Sequence, residues 1–199
     1  MPHEELREKN IRLVIENALD SFLENGIEKT KVADVARRSG LTERSVFRYF
    51  ETKADLVLAA SLLYWNRILA LIDRMSHENS DGGTTGLEDA ANVLVCYSML
   101  YHLDPKGMRF TLDAELTLQA AGRLHEIKNQ PPEPFETSRG PNRNYLRADV
   151  REIYYNSYDA ILGIMQRLSI GGSPSARELD YDSRMLHLSE MFVKALSGK

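Results

Sequence analysis

VADVARRSGLTERSVFRYF, residues 32–50, holds two short runs of helical spacing on either side of one glycine. Val32, Val35 and Ala36 give the first run an apolar side, Gly40 can adopt the positive φ of a tight turn, and Leu41, Val46, Phe47 and Phe50 resume the apolar pattern. Ala36 sits where two helices would cross closely, and Val46 is placed to pack back against the first helix. This is helix-turn-helix spacing. The polar positions left on the second helix are Thr42, Glu43, Arg44, Ser45 and Arg48, with Tyr49 toward its end, a set suited to base edges and phosphate oxygens. Paired short helices also occur as plain packing units, so the spacing alone leaves a DNA reader and a structural unit both open.

Charge distinguishes them. Between residues 29 and 53 stand seven cationic residues (Lys29, Lys31, Arg37, Arg38, Arg44, Arg48, Lys53) against Asp34, Glu43 and Glu51, in a chain of net charge -4. An acidic protein that concentrates positive charge around one helix-turn-helix has the electrostatic footprint of phosphate contact. On the N-terminal side, residues 10–25 carry Ile11, Val14, Ile15, Ala18, Leu19 and Phe22 at helical spacing, and Gly26 follows as a C-terminal cap. Thr30 is expected to cap the helix of residues 32–38, placing a helix N-terminus near phosphate. Thr52 is the expected N-cap of a long following helix, with Lys53 in its first turn. Arg44, Ser45 and Arg48 are the candidates for bases or adjacent phosphates; Thr30, Thr42, Tyr49 and Lys53 are those for the backbone.

Residues 6–63 resemble the N-terminal domain of the TetR (tetracycline repressor) family of bacterial transcriptional regulators. Ala18, Phe22, Gly26, Thr30, Val35, Ala36, Gly40, Ser45, Phe47, Tyr49, Phe50, Lys53 and Leu56 carry the resemblance, above all the run Phe47-Arg48-Tyr49-Phe50-Glu51-Thr52-Lys53. Glu43-Arg44 departs from the small or basic residues frequent at the start of the family's recognition helix. The resemblance implies a ligand-responsive repressor that binds a palindromic DNA operator as a homodimer, with the final two helices forming the dimer interface. The family's C-terminal part varies with ligand, so the effector is left open.

Length and composition fit that architecture. With 199 residues, 43% of them hydrophobic, the chain is expected to be all-α. A three-helix DNA-binding head, residues 1–52, would precede a larger helical effector-binding and dimerisation domain, residues 53–199. No run of about 18 apolar residues is apparent, which predicts no membrane span. The acidic N-terminus and the lone Cys96, which has no partner for an internal disulfide, predict a cytoplasmic protein. Cys96 lies in an apolar run without adjacent Lys or Arg and reads as a buried structural thiol.

Helical periods over residues 54–76 and 87–103 flank a glycine-rich break. Asp104-Pro105 should cap and start a new helix, and residues 106–128 should hold a short helix and a longer one. Residues 129–144, with four prolines, form a loop; residues 145–169 and 179–196 are two amphipathic helices. Ile161, Ile164 and Leu168 on one, with Leu188, Met191 and Phe192 on the other, are the dimerisation candidates. The same stripes also suit packing within a monomer. Trp65, Tyr97, Tyr101, His102, Phe110, Tyr154 and Tyr158 would line a pocket for an apolar or aromatic small molecule, and core packing accounts for them equally. No His or Cys pair has metal-ligand spacing, and no phosphate loop, nucleophile elbow or dinucleotide fingerprint occurs, so neither a metal, a cofactor nor an enzymatic activity is expected. The competing reading is a helical protein-interaction adaptor whose helix-turn-helix is structural.

Overall fold

The computed structural model describes residues 2–78, 86–127 and 148–170, and nearer the C-terminus residues 183, 184, 187, 188, 190, 191 and 194. Its order is α1 (Pro2–Asn25), α2 (Val32–Arg38), α3 (Glu43–Phe47), α4 (Lys53–Glu78), α5 (Gly86–Leu103), α6 (Pro105–Ala120), a 3-10 turn (Leu124–Glu126) and α7 (Ala148–Ser169). The protein is all-α, as its periodicities indicate, with no strand among the described residues. The proline-rich loop and most of the final helix lie outside those residues.

Two compact units organise the chain, Met1–Arg67 with Arg109–Asn129, and Ile68–Met108 with Gln130–Lys199. In the first, α1 starts earlier than its apolar period suggests, because Pro2, Glu4 and Glu5 suit a helix N-terminus. Val14, Ala18, Leu19 and Phe22 of α1 are buried with Val35 and Ala36 of α2, Val46 of α3, and Leu56, Val57, Ala60 and Tyr64 of α4. Most of α6 joins them: the Phe22 and Phe110 rings stack 6.0 Å apart, and Tyr64 meets Phe110 edge-on at 5.7 Å. In the second unit α5 packs on α7, burying Leu94, Cys96, Tyr97 and Leu100 against Tyr154, Tyr158, Ile161, Leu162 and Met165. Burial raises the Cys96 thiol above its ordinary value, as befits a structural cysteine.

The turn between α2 and α3 is a Schellman motif. Gly40 takes φ +66, its amide bonds the Arg37 carbonyl at 3.1 Å, and the Leu41 amide reaches the Ala36 carbonyl at 2.9 Å. Gly40→Ala should lower stability by about 1–2 kcal/mol, read by chemical denaturation, since an L side chain strains that φ although space is open there. An unchanged midpoint would refute the strain argument.

The α6 region departs from the expected pair of helices. Asp104 does cap it, its Oδ1 accepting from the Gly107 amide at 2.8 Å. One continuous helix then runs to Ala120, and Gly122, at φ +70, closes a second Schellman turn through the Arg123 amide to the Leu118 carbonyl at 2.8 Å. The stretch Lys53–Ile72 also corrects the expectation of no span-like segment: its mean hydropathy of 1.5 meets the length and composition of a membrane-crossing helix. Its buried residues Leu56, Val57, Ala60, Tyr64, Ile68 and Ile72 account for that hydropathy as core packing.

Candidate nucleic-acid interface

Thr42 caps α3: its Oγ1 accepts from the Ser45 amide at 3.2 Å and shares a 2.9 Å hydrogen bond with the Ser45 hydroxyl. That cap leaves Glu43, Arg44 and Arg48 exposed while Val46 points into the core. The helix is short, so Arg48 and Tyr49 fall in the turn that follows it. One Arg48 nitrogen lies 3.4 Å from the Ser45 hydroxyl, and Arg44 has no ion-pair partner among the described residues.

Two of the seven cations counted in the sequence are neutralised by the fold. Arg37 pairs with Asp34 at 2.8 Å, and Arg38 forms a forked pair with Glu24 of α1 at 2.7 and 2.9 Å. Lys29, Lys31, Arg44 and Arg48 form no salt bridge among the described residues, while Lys53 feels the charge of Glu28. The remaining cations lie in the α1–α2 turn, on and just after α3, and at the start of α4. Lys53 Nζ donates to the Glu28 carbonyl at 3.3 Å; burial pushes its ammonium below the ordinary lysine value, with Glu28 opposing.

Thr52 and Asp55 form a reciprocal cap on α4. Asp55 Oδ2 accepts from the Thr52 amide and hydroxyl at 2.7 and 2.8 Å, and the Thr52 hydroxyl accepts from the Asp55 amide at 3.2 Å. Arg123, after α6, bonds the other Asp55 oxygen and holds Glu126 at 2.6 Å. Burial drives the Asp55 carboxyl up, yet the hydrogen bonds from Thr52 and Arg123 outweigh it and hold the group below its ordinary value. A depressed carboxylate stabilises the fold above its unfolded value and ceases to as pH falls through the folded one, so this brace is charged throughout the neutral range.

Several expected site residues stand elsewhere. Thr30 does not cap α2: Lys31 holds the cap position, and Thr30 is 5% exposed, its hydroxyl directed at the Ser21 and Gly26 carbonyls at 3.1 and 2.8 Å. It ties the α1–α2 turn internally, which removes its hydroxyl from phosphate. Phe47, one of the residues that resume the apolar pattern after Gly40, is 41% exposed on α3. Arg7 was missed; its guanidinium lies 5.9 Å from the centre of the Tyr49 ring. Its contribution is not legible locally, because it comes from a distant helical turn.

The proposed pocket residues divide. Trp65 and Phe110 are buried in the first unit, against Tyr64 and the Phe22 ring respectively. Tyr97, Tyr154 and Tyr158 are buried together in the second unit, Tyr97 edge-on to Tyr158 at 4.9 Å, and burial drives the Tyr97 hydroxyl well above its ordinary value. His102 is exposed, and the Tyr101 side chain lies outside the described residues. Of the dimerisation candidates, Ile161 is buried in its own unit, because it lies on the side of α7 that meets α5. Ile164, Leu168 and Leu188 are half-buried, Met191 is 66% exposed, and Phe192 lies outside the described residues.

The site is thus a capped helix-turn-helix with Arg44 and Arg48 exposed on and just after α3. Residues 14–60 match the family model of the bacterial regulatory proteins of the tetR family. That match covers α2, α3 and parts of α1 and α4, so the likeness to the family is one of the helix-turn-helix segment. A TetR transcriptional regulator from Rhodococcus sp. RHA1 shares the fold with TM-score 0.60 at 16% identity, over 100% of this chain and 99% of that one. The fatty acid degradation regulator FadR from Bacillus halodurans does so with TM-score 0.54 at 13% identity, over 92% and 94% of the two chains. The fatty acid metabolism regulator protein of Bacillus subtilis (strain 168) is 23% identical over 87 residues, which span 44% of this chain and 43% of that relative.

Proposed function

We propose that the protein is a homodimeric, ligand-responsive repressor of transcription that binds a palindromic operator in the cytoplasm. The observation that carries this is the exposed face of α3, where Arg44 and Arg48 flank the Thr42–Ser45 cap. Residues 1–52 are the DNA-reading head and residues 53–199 the effector and dimerisation part. Arg44, Ser45 and Arg48 reach bases or adjacent phosphates; Thr42, Tyr49 and Lys53 fix the backbone. Phe47 adds an apolar surface suited to a thymine methyl, and Arg7 adds a cation beside Tyr49.

One head reads only a few base pairs, so specific affinity calls for two on a symmetric site. The effector is an apolar or aromatic small molecule bound in residues 53–199; the names of two similar regulators, both tied to fatty acids, support an apolar one. Binding favours a state in which α4, which begins at Lys53, is tilted, so that the heads no longer match successive major grooves. Incubating the protein with genomic DNA fragments at moderate salt and sequencing what is retained tests the reading. The expected result is enrichment of an inverted repeat, with half-sites about one helical turn apart. No enrichment over bulk DNA would overturn it and leave the helix-turn-helix as a packing unit of an adaptor.

A further inference from the structure

Asp55 stands two residues after Lys53, the cation assigned above to the DNA backbone. Its Oδ2 is held by the Thr52 amide and hydroxyl at 2.7 and 2.8 Å, so the cap that starts α4 also fixes a negative charge beside that contact. A bare carboxylate there repels phosphate. The fold answers with a cation from far along the chain. Gly122 turns the backbone after α6, and Arg123 then bonds Asp55 Oδ1 through Nη1 and Glu126 through Nε and Nη2, at 2.6 and 2.9 Å.

Stability alone does not account for this arrangement. Arg123, Asp55 and Glu126 are 28%, 27% and 34% exposed, and ion pairs that water reaches so readily add little to a fold. Their charge matters more. Hydrogen bonding to Arg123 holds the Glu126 carboxyl below its ordinary value, and Asp55 is likewise ionised at neutral pH. One guanidinium against two carboxylates leaves the cluster at charge -1, where the carboxylates alone would carry -2.

We infer that Arg123 is a positioning residue for DNA binding: it gathers the Asp55 and Glu126 carboxylates and offsets their charge, so that phosphate can reach Lys53 at the start of α4. It acts through those two side chains and does not itself touch DNA. This rests on the DNA-binding reading above and adds to it a residue that follows α6, outside the helix-turn-helix. The sequence hides it, because Arg123 and Asp55 are 68 residues apart.

Anisotropy titrations of the full chain with a short fluorescent DNA duplex of random sequence, at one low salt concentration, test the inference. Arg123→Ala should weaken binding about five- to tenfold, since the cluster gains one unit of negative charge where screening is weak. Arg123→Lys, which keeps the charge and loses the fork, should stay within about twofold of the unaltered protein. Adding Glu126→Gln to Arg123→Ala should recover the affinity to within about twofold, because it restores the charge of the cluster and leaves the Asp55 cap in place. A brace with only a structural role predicts the reverse for both, as each variant has lost the forked bonds. Circular dichroism confirms that each variant is folded; if the alanine variant melts below the assay temperature, Arg123→Gln, which keeps a donor and removes the charge, replaces it with the same expected values. Unchanged affinity in the alanine variant, a lysine variant as weak as alanine, or no recovery in the double variant would each overturn the role of Arg123. An unaltered protein that fails to bind the duplex would instead overturn the DNA-binding reading on which it rests.

Discussion

Phe22→Ala is expected to destabilise the N-terminal unit by about 3–5 kcal/mol, the range for deleting a fully packed aromatic side chain. Phe22 is 2% exposed, and its ring stacks on Phe110, which in turn receives the edge of Tyr64. Its removal would open a cavity bounded by three helices, α1, α4 and α6, none of which can close it without disturbing the others. Against a total domain stability of about 5–15 kcal/mol, that loss is large enough to unfold part of the population at growth temperature. The chain's one tryptophan, Trp65, lies buried in the same unit and gives a local fluorescence signal for a denaturant titration. Phe22→Leu, which keeps most of the volume, should cost about 1–2 kcal/mol. A loss under 1 kcal/mol for the alanine variant would show that α6 does not complete this core.

The paired variant Arg44→Ala/Arg48→Ala is expected to weaken DNA binding by about 2–4 kcal/mol, roughly 30- to 1,000-fold, from contributions of about 1–2 kcal/mol per contact, within the range for such pairs. If both side chains neutralise phosphates, the slope of log affinity against log salt should fall by about two, from release of fewer counterions. If one reads a base edge, the slope should fall by about one and discrimination among operator variants should relax. Stability is the control. Both side chains are exposed and neither lies in the core, so the change in unfolding free energy should stay within about 0.5 kcal/mol. Anisotropy titrations across a salt series separate these outcomes, and unchanged affinity and slope would remove α3 as the reading element.

The helix-turn-helix was legible because its determinants are short-range. A 3.6-residue apolar period, Gly40 where the chain must turn left-handed, Thr42 and Thr52 where amides need a cap, and Asp104 before Pro105 all act within one or two helical turns. What the sequence did not place was the surroundings of particular side chains. Thr30 has the right chemistry for a cap and spends it inside the preceding turn, while Phe47 has core chemistry and stands exposed on α3.

The sequence by itself thus determined an all-helical protein with one helix-turn-helix, since local hydrogen bonding, chirality and charge spacing are properties of neighbouring residues. Only tertiary structure decided that α6 completes the core of the N-terminal unit, that Arg37 and Arg38 form ion pairs, that Trp65 and Phe110 pack there, and that Ile161 is buried inside its own unit. The physical reason is that burial and ion pairing are settled by chain segments remote in sequence. Periodicity shows that a helix has an apolar face; it does not name what will cover it.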